Sequence, residues 1–235
     1  MDIQLNLERA IHQLVDEFLN EPYRFFSEAD AVSRFHQLLD ADAQLNARVP
    51  SQDGVPLSTI HQQYPTFFRF DDAQPTARLD ASSKARRGQY DIAILSPEFI
   101  RKHPVETIKN RDLAGERIKH IRPFQAVVEF KLDDRGWNSG KTQGAVAELG
   151  KLILSNEEAG LRYFVGLMRY TAPTESRWNK YWPEVTQAAM AGMEIRSIFA
   201  TYRVLQAHHP HVQSFGDWLI KHEEAEKNEA RIKVK

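Results

Sequence analysis

The chain predicts an α/β (α+β) fold, a central mixed β-sheet flanked by helices. Two observations lead there. Stretches with helical apolar spacing alternate with short runs rich in β-branched and aromatic residues. The order of these stretches is helices, three strands, a helix, a strand and then mixed elements, which suits one sheet with helices packed on its flanks.

The length of 235 residues and a hydrophobic content of 42% allow a sizeable core, read here as a single domain over 1–235. Residues 5–19 carry Leu7, Ile11, Leu14, Val15, Phe18 and Leu19 at helical spacing, and Glu21-Pro22 ends that run. Ser27-Glu28-Ala29-Asp30 reads as a capping box opening a second helix over 27–46, with Val32, Phe35, Leu38 and Leu39 on one face. Residues 57–70 read as extended, with Pro65 at an edge or a bend. Residues 71–87 read as a polar loop. In the strand 88–95, Tyr90, Ile92 and Ile94 alternate with Gln89, Asp91 and Ala93.

Residues 98–122 form an insert with partial helical spacing and an excess of Lys and Arg. A strand over 124–132, a loop over 133–142 and a helix over 143–156 follow. Residues 161–170 are nearly all apolar, as a central strand covered on both faces would be. Residues 177–191 read as helix, 194–204 as either strand or helix, and 215–227 as an amphipathic helix before a frayed end. The core is expected over 27–170, with a helical extension before it and an elaboration after it.

The net charge of −1 does not mark the whole chain as a nucleic-acid binder, so only a local basic patch could serve that purpose. The absence of Cys excludes disulfides and Cys-ligated zinc. No apolar stretch reaches the length of a membrane span, and the first residues lack a signal-peptide pattern. The expectation is a cytoplasmic protein without a membrane partner.

The strand Ala126-Val127-Val128-Glu129-Phe130-Lys131-Leu132 is the anomaly. Glu129 and Lys131 interrupt an apolar run two positions apart, on one face and ~6.6 Å apart along the strand. A buried strand excludes such charges unless something compensates them. If the strand of Asp91 pairs with this one, Asp91 lies beside Glu129, and the two carboxylates repel unless a cation sits between them. Carboxylate oxygens suit Mg²⁺ or Mn²⁺, and the Phe130 carbonyl, lying between the two charged side chains, is a further candidate ligand. Lys131 would orient or deprotonate an attacking water, or stabilise charge on a phosphate.

Asp91, a long gap and Glu129-Phe130-Lys131 together resemble the PD-(D/E)XK nuclease superfamily, the restriction-endonuclease-like fold. The resemblance covers about 28–170. It implies an αβββαβ core and a Mg²⁺-dependent (or Mn²⁺-dependent) hydrolase of phosphodiester bonds acting on DNA, with a homodimer suggested by analogy with related folds. It also implies a helix-borne acid before the first core strand, matched by Glu28, and a polar residue on the helix after the triplet, matched by Gln143. Asp91 departs from the pattern in following Gln89-Tyr90 rather than Pro, and Gln62 and Gln63 stand where some members place an acid.

Each feature also has a plainer reading. Glu28 in a first helical turn is stabilised by the helix dipole alone, and Gln143 at a helix start can be structural. Lys84, Arg86 and Arg87 before the Asp91 strand, and Lys141 after the triplet, can be solvated loop charges or contacts to a phosphate backbone. Trp137 can anchor a loop or stack on a base, while His208, His209 and His211 suit a surface turn. Gly136 to Thr142 imitates a phosphate-binding P-loop but has three residues, not four, between its glycines. Beside the nuclease stand two alternatives: a catalytically inactive DNA-binding or assembly module of the same fold, and a P-loop nucleotide hydrolase.

Overall fold

A computed structural model of the chain describes residues 3–71, 74–79, 87–109, 122–133, 138–171, 180, 183–185, 187, 195–204 and 211–213. The elements in order are α1 (Ile3–Asn20), α2 (Glu28–Asp40), β1 (Arg48–Pro50), β2 (Pro56–Ser58), β3 (Ile60–Asp71), β4 (Gln74–Leu79), β5 (Arg87–Leu95), α3 (Pro97–Lys102), α4 (Val105–Lys109), β6 (Phe124–Asp133), α5 (Ser139–Leu154), β7 (Ala159–Thr171), β8 (Arg196–Val204) and β9 (His211–Gln213).

Seven strands form one mixed sheet in the order β4-β3-β5-β6-β7-β8-β9, and β1 pairs with β2 in a separate two-stranded sheet. β3 runs antiparallel to β4 and β5, and β5 runs antiparallel to β6. β7 lies parallel to β6 and β8 parallel to β7. A parallel neighbour requires a crossover between the strands, and α5 makes it between β6 and β7. From α2 onward the chain therefore runs helix, three antiparallel strands, helix, parallel strand, with β4 added at the edge.

Two apolar layers cover the sheet. On one face, Leu7, Ile11, Leu14 and Phe18 of α1 and Val32, Phe35 and Leu39 of α2 pack on Ile92, Val128, Phe130, Tyr163, Val165 and Ile198. On the other, Ala145, Leu149 and Leu152 of α5, with Phe99, Ile100 and Ile108, pack on Ala93, Val127, Phe164 and Phe199. The period-2 alternation of β6 thus places Val128, Phe130 and Leu132 towards α2 and leaves Val127 towards α5. Phe35 meets Phe130 edge-on with ring centroids 5.2 Å apart, which seats α2 directly over the charged strand.

Several expectations need correction. The second helix stops at Asp40, where Asp42 accepts from the Gln44 and Leu45 N–H groups and turns the chain. The polar loop over 71–87 contains β4: an edge strand is held by backbone hydrogen bonds on one side only, so its side chains give no apolar signal and it tolerates Pro75. α5 begins at Ser139, capped by Asn138 whose Oδ1 accepts from the Lys141 N–H at 3.0 Å. The ambiguous stretch 194–204 is strand, because a parallel position beside β7 is open to it. Tyr90 does not share a face with Ile92 and Ile94 but packs in the α5 layer. The alternation breaks opposite Gln63, whose φ is +50°, a left-handed conformation that side chains other than Gly seldom adopt.

The residues at 180, 183–185 and 187 are helical, within the helix expected over 177–191. The helix expected over 215–227 lies outside the described residues. Among the described residues no helix is long and apolar enough to cross a membrane.

Phe35→Ala empties a buried ring site between α2 and β6. It is expected to cost about 3–5 kcal/mol of unfolding free energy, read as a lowered urea midpoint with the slope unchanged.

Candidate active site

The ladder between β5 and β6 pairs Ile94 with Ala126, Ala93 with Val127 and Ile92 with Val128. The ladder ends there, one step short of Asp91 and Glu129, whose carboxylates still act on each other electrostatically. Beyond it, two carboxylates take the place of the missing strand. Asp91 Oδ2 accepts from the Phe130 N–H at 2.8 Å, and Glu28 Oε2 accepts from the Leu132 N–H at 3.3 Å. An extended residue points its N–H and C=O to the same side, so the Phe130 carbonyl faces this split between the strands too.

Glu28 is free for that contact because other residues cap its helix. Ser27 Oγ accepts from the Asp30 N–H at 3.3 Å, while Asp30 Oδ2 accepts from the Ser27 N–H at 2.8 Å and the Phe26 N–H at 3.0 Å. The Glu28 side chain reaches instead to β6, where its Oε2 also lies 3.4 Å from Lys131 Nζ. Burial raises its carboxyl pKa and the charge of Asp91 adds to the rise, while Lys131 opposes it.

Asp91 has a second donor. Gln63 Nε2 donates to its Oδ1 at 2.9 Å. The strained residue of β3 therefore serves the candidate site, which is where backbone strain tends to collect. Burial raises the Asp91 carboxyl pKa, against the pull of the Phe130 N–H and of Lys151.

Glu129 is 1% exposed and its side chain points to the α5 side of the sheet. Its partner is Lys151, which the sequence reading did not single out. Lys151 Nζ, on a residue only 4% exposed, sits 2.7 Å from Glu129 Oε1, contacts Glu148 Oε2 and donates to the Gln89 carbonyl at 2.5 Å. It also lies 5.8 Å from the Tyr90 ring centroid. The ammonium is off the axis of a hydrogen bond to Glu129, so the buried Oε1 has no aligned donor. Burial pushes the Glu129 carboxyl well above its ordinary range, with Glu148 and Asp91 adding repulsion and Lys151 opposing them. For Lys151 burial alone would lower the value, but Glu129 and Glu148 reverse that and hold the ammonium charged.

Glu129 and Glu148 thus contact one ammonium, Asp91 acts on it from further away, and Glu28 with its own lysine acts on Asp91. If Asp91, Glu129 and Glu148 all ionise, the cluster is short of positive charge, and only protons or a further cation can correct this. The signal that could have found Lys151 is its position. Ala145, Leu149 and Leu152 form the buried stripe of α5, and a Glu148–Lys151 pair at i,i+3 borders that stripe.

The other expected residues are distributed differently. Lys131 lies along α5 at Gly144, where an added Cβ would stand 3.7 Å from its Cε and 3.8 Å from its Nζ. Gln143 is exposed in the first turn of α5 and its side chain has no hydrogen bond to Asp91 or Glu129. Lys141 is drawn to Asp133, with Nζ 2.8 Å from its Oδ1. Arg87 opens β5, while Lys84, Arg86, Trp137, His208 and His209 lie outside the described residues and His211 begins β9. Among the described residues no three acidic or imidazole side chains converge as a ready-made metal cage.

A scan against protein-family models finds no match, and neither a curated protein nor a solved structure matches the chain.

Removing the Asp91 side chain strands the Phe130 N–H. Asp91→Ala is expected to cost about 1–3 kcal/mol in metal-free buffer. Asp91→Asn keeps an acceptor and removes a repelling charge, so it should be at least as stable as the wild type. Urea denaturation of the two variants side by side checks this.

Proposed function

We propose that this chain is a metal-dependent nuclease of the PD-(D/E)XK type, hydrolysing phosphodiester bonds with DNA as its first substrate to test. One observation carries the reading. Two carboxylates from distant parts of the chain, Asp91 and Glu28, meet the open edge of the strand that bears Glu129 and Lys131.

The donor set suits a hard divalent cation. Mg²⁺ is commonly held by one or two carboxylates, with water and substrate oxygens completing its shell. Asp91, Glu129 and the Phe130 carbonyl would hold it, and the undonated Oε1 of buried Glu129 offers a lone pair for it. When bound, such an ion supplies charge for the three carboxylates and a Lewis acid for a phosphoryl oxygen.

The remaining roles belong to side chains. Lys131 is held by Glu28, whose carboxylate in turn acts on Asp91, and lies beside Gly144. There it can orient the attacking water or meet charge developing on the phosphate. Glu28 is a positioning residue in this scheme: it fixes Lys131 and ties α2 to the edge of β6. Gln63 fixes the rotamer of Asp91 in the same way.

Plasmid, linear duplex, single-stranded DNA and RNA, each with Mg²⁺, Mn²⁺ or EDTA, test the reading. Glu129→Ala and Lys131→Ala should each lower cleavage by at least ~100-fold, the scale of a lost acid–base or electrostatic group, with the circular dichroism spectrum unchanged. Cleavage that persists in EDTA or in Glu129→Ala would refute the mechanism. Metal-independent DNA binding without cleavage under every condition would favour the inactive module instead.

The raised carboxyl values set a pH dependence. Metal binding needs Glu129 and Asp91 deprotonated, so the Mn²⁺ concentration for half-saturation should fall as pH rises above the ordinary carboxylate range and through their raised values. Without metal the sign reverses for stability. Between the ordinary Glu value of 4.5 and the raised one, the native state holds more protons than the unfolded chain. Metal-free stability therefore drops as pH rises through that window. A thermal-shift titration across pH, with Mn²⁺ and with EDTA, reads both trends; parallel trends would contradict the assignment.

A further inference from the structure

We propose that Lys151 is a resident cation of this site, one that holds the Glu129 carboxylate in place until a divalent metal takes it over, with Glu148 as the acceptor to which the ammonium is then confined. The proposal rests on the metal reading above and assigns to it a residue outside the D-(E-x-K) pattern.

A lysine at 4% exposure is costly in a core unless its charge is met. This one is met from several directions, by Glu129, Glu148 and the Gln89 carbonyl. An ammonium has three donors and no acceptor; the Gln89 carbonyl accepts from it, Glu148 contacts it, and Glu129 meets it as an ion pair without an aligned hydrogen bond. The three differ in their attachment. Gln89 belongs to the backbone of β5 and cannot leave. Glu148 lies one helical turn from Lys151 on the same helix, and its side chain is 30% exposed, so water reaches its carboxylate. Glu129 is fully enclosed, carries an oxygen without an aligned donor and belongs to the strand that forms the candidate metal site.

Loss of the Glu129 contact therefore leaves Lys151 with two acceptors, whereas loss of Lys151 takes from buried Glu129 the ammonium that contacts it. That asymmetry sets the direction of the exchange. An ammonium 2.7 Å from Oε1 and a divalent ion ~2.1 Å from the same carboxylate repel each other. The two cations thus compete for Glu129, and by reciprocity each weakens the hold of the other. Glu148 tips the competition by keeping the ammonium on the helix side.

Mn²⁺ chloride is the probe, with the melting temperature as readout at one fixed pH and in EDTA. Wild type should gain melting temperature with Mn²⁺, and Glu129→Gln should lose most of that gain; if it does not, the metal reading itself fails and this proposal with it. Lys151→Met should melt lower than wild type in EDTA, yet gain more from Mn²⁺ and reach half-saturation at roughly tenfold lower concentration. Glu148→Gln, a conservative change at a partly exposed side chain, should shift half-saturation the other way, upward several-fold. In the Lys151→Met background the same Glu148→Gln change should move half-saturation by less than about twofold, since its effect passes through the ammonium. A Glu129-dependent Mn²⁺ response with no opposite shifts in the two single variants would overturn the proposal while leaving the metal reading standing. An equal Glu148→Gln shift in both backgrounds would overturn the part assigned to Glu148. If Lys151→Met fails to fold even with Mn²⁺, the upward shift in Glu148→Gln alone decides, and its absence counts against the exchange.

Discussion

The early parting of two paired strands governs the rest of the site. β5 and β6 stay in register only as far as Ile92 and Val128. Past that point the Phe130 and Leu132 N–H groups would face an empty edge, and a buried backbone donor without a partner is expensive. Side-chain carboxylates replace the missing strand, Asp91 for the first donor and Glu28 for the second. Two acids are thereby drawn to a strand that already carries a third. A local failure of sheet pairing so becomes a concentration of negative charge at one edge of β6.

The surrounding fold holds that edge rigid. Phe35 on Phe130 seats α2, the Ser27–Asp30 box leaves Glu28 free to reach β6, and the α5 crossover brings Glu148 and Lys151 beneath Glu129. Each device uses ordinary helix or strand chemistry. The alternation of β6 lets one strand serve two purposes, with Phe130 and Leu132 binding α2 while Glu129 meets Lys151 on the other face and Lys131 runs along α5 at Gly144.

Much of this was legible in the sequence. The capping box at Ser27, the strands around Asp91 and Glu129, and the helix between two parallel strands all follow from spacing and cap residues. The pairing of the Asp91 strand with the Glu129 strand follows as well, because consecutive strands tend to be neighbours even across a long insert. Three features were not legible, each for a physical reason. β4 is an edge strand held by backbone hydrogen bonds, which leave no mark on side-chain pattern. The face of Tyr90 depends on a left-handed residue, Gln63, in the partner strand, and a single strand's alternation cannot report that. Lys151 is hidden for the opposite reason: a lysine on a helix reads as solvated, and only the crossover geometry shows that it points into the sheet.

The buried cluster also bears on the choice between a structural and a chemical role. Replacing a buried ion pair by apolar residues of similar size is often neutral or stabilising, so stability alone gives no reason to keep one. A structural pair would also balance its charges, one acid to one base. Here Asp91, Glu129 and Glu148 act on one another and share a single enclosed ammonium. Burial pushes Glu129 towards its neutral form, which is a poor partner for a lysine and a costly state for a packing residue. That imbalance is what the proposed metal ion would relieve, with the Phe130 carbonyl at the open edge of β6 as one of its proposed ligands.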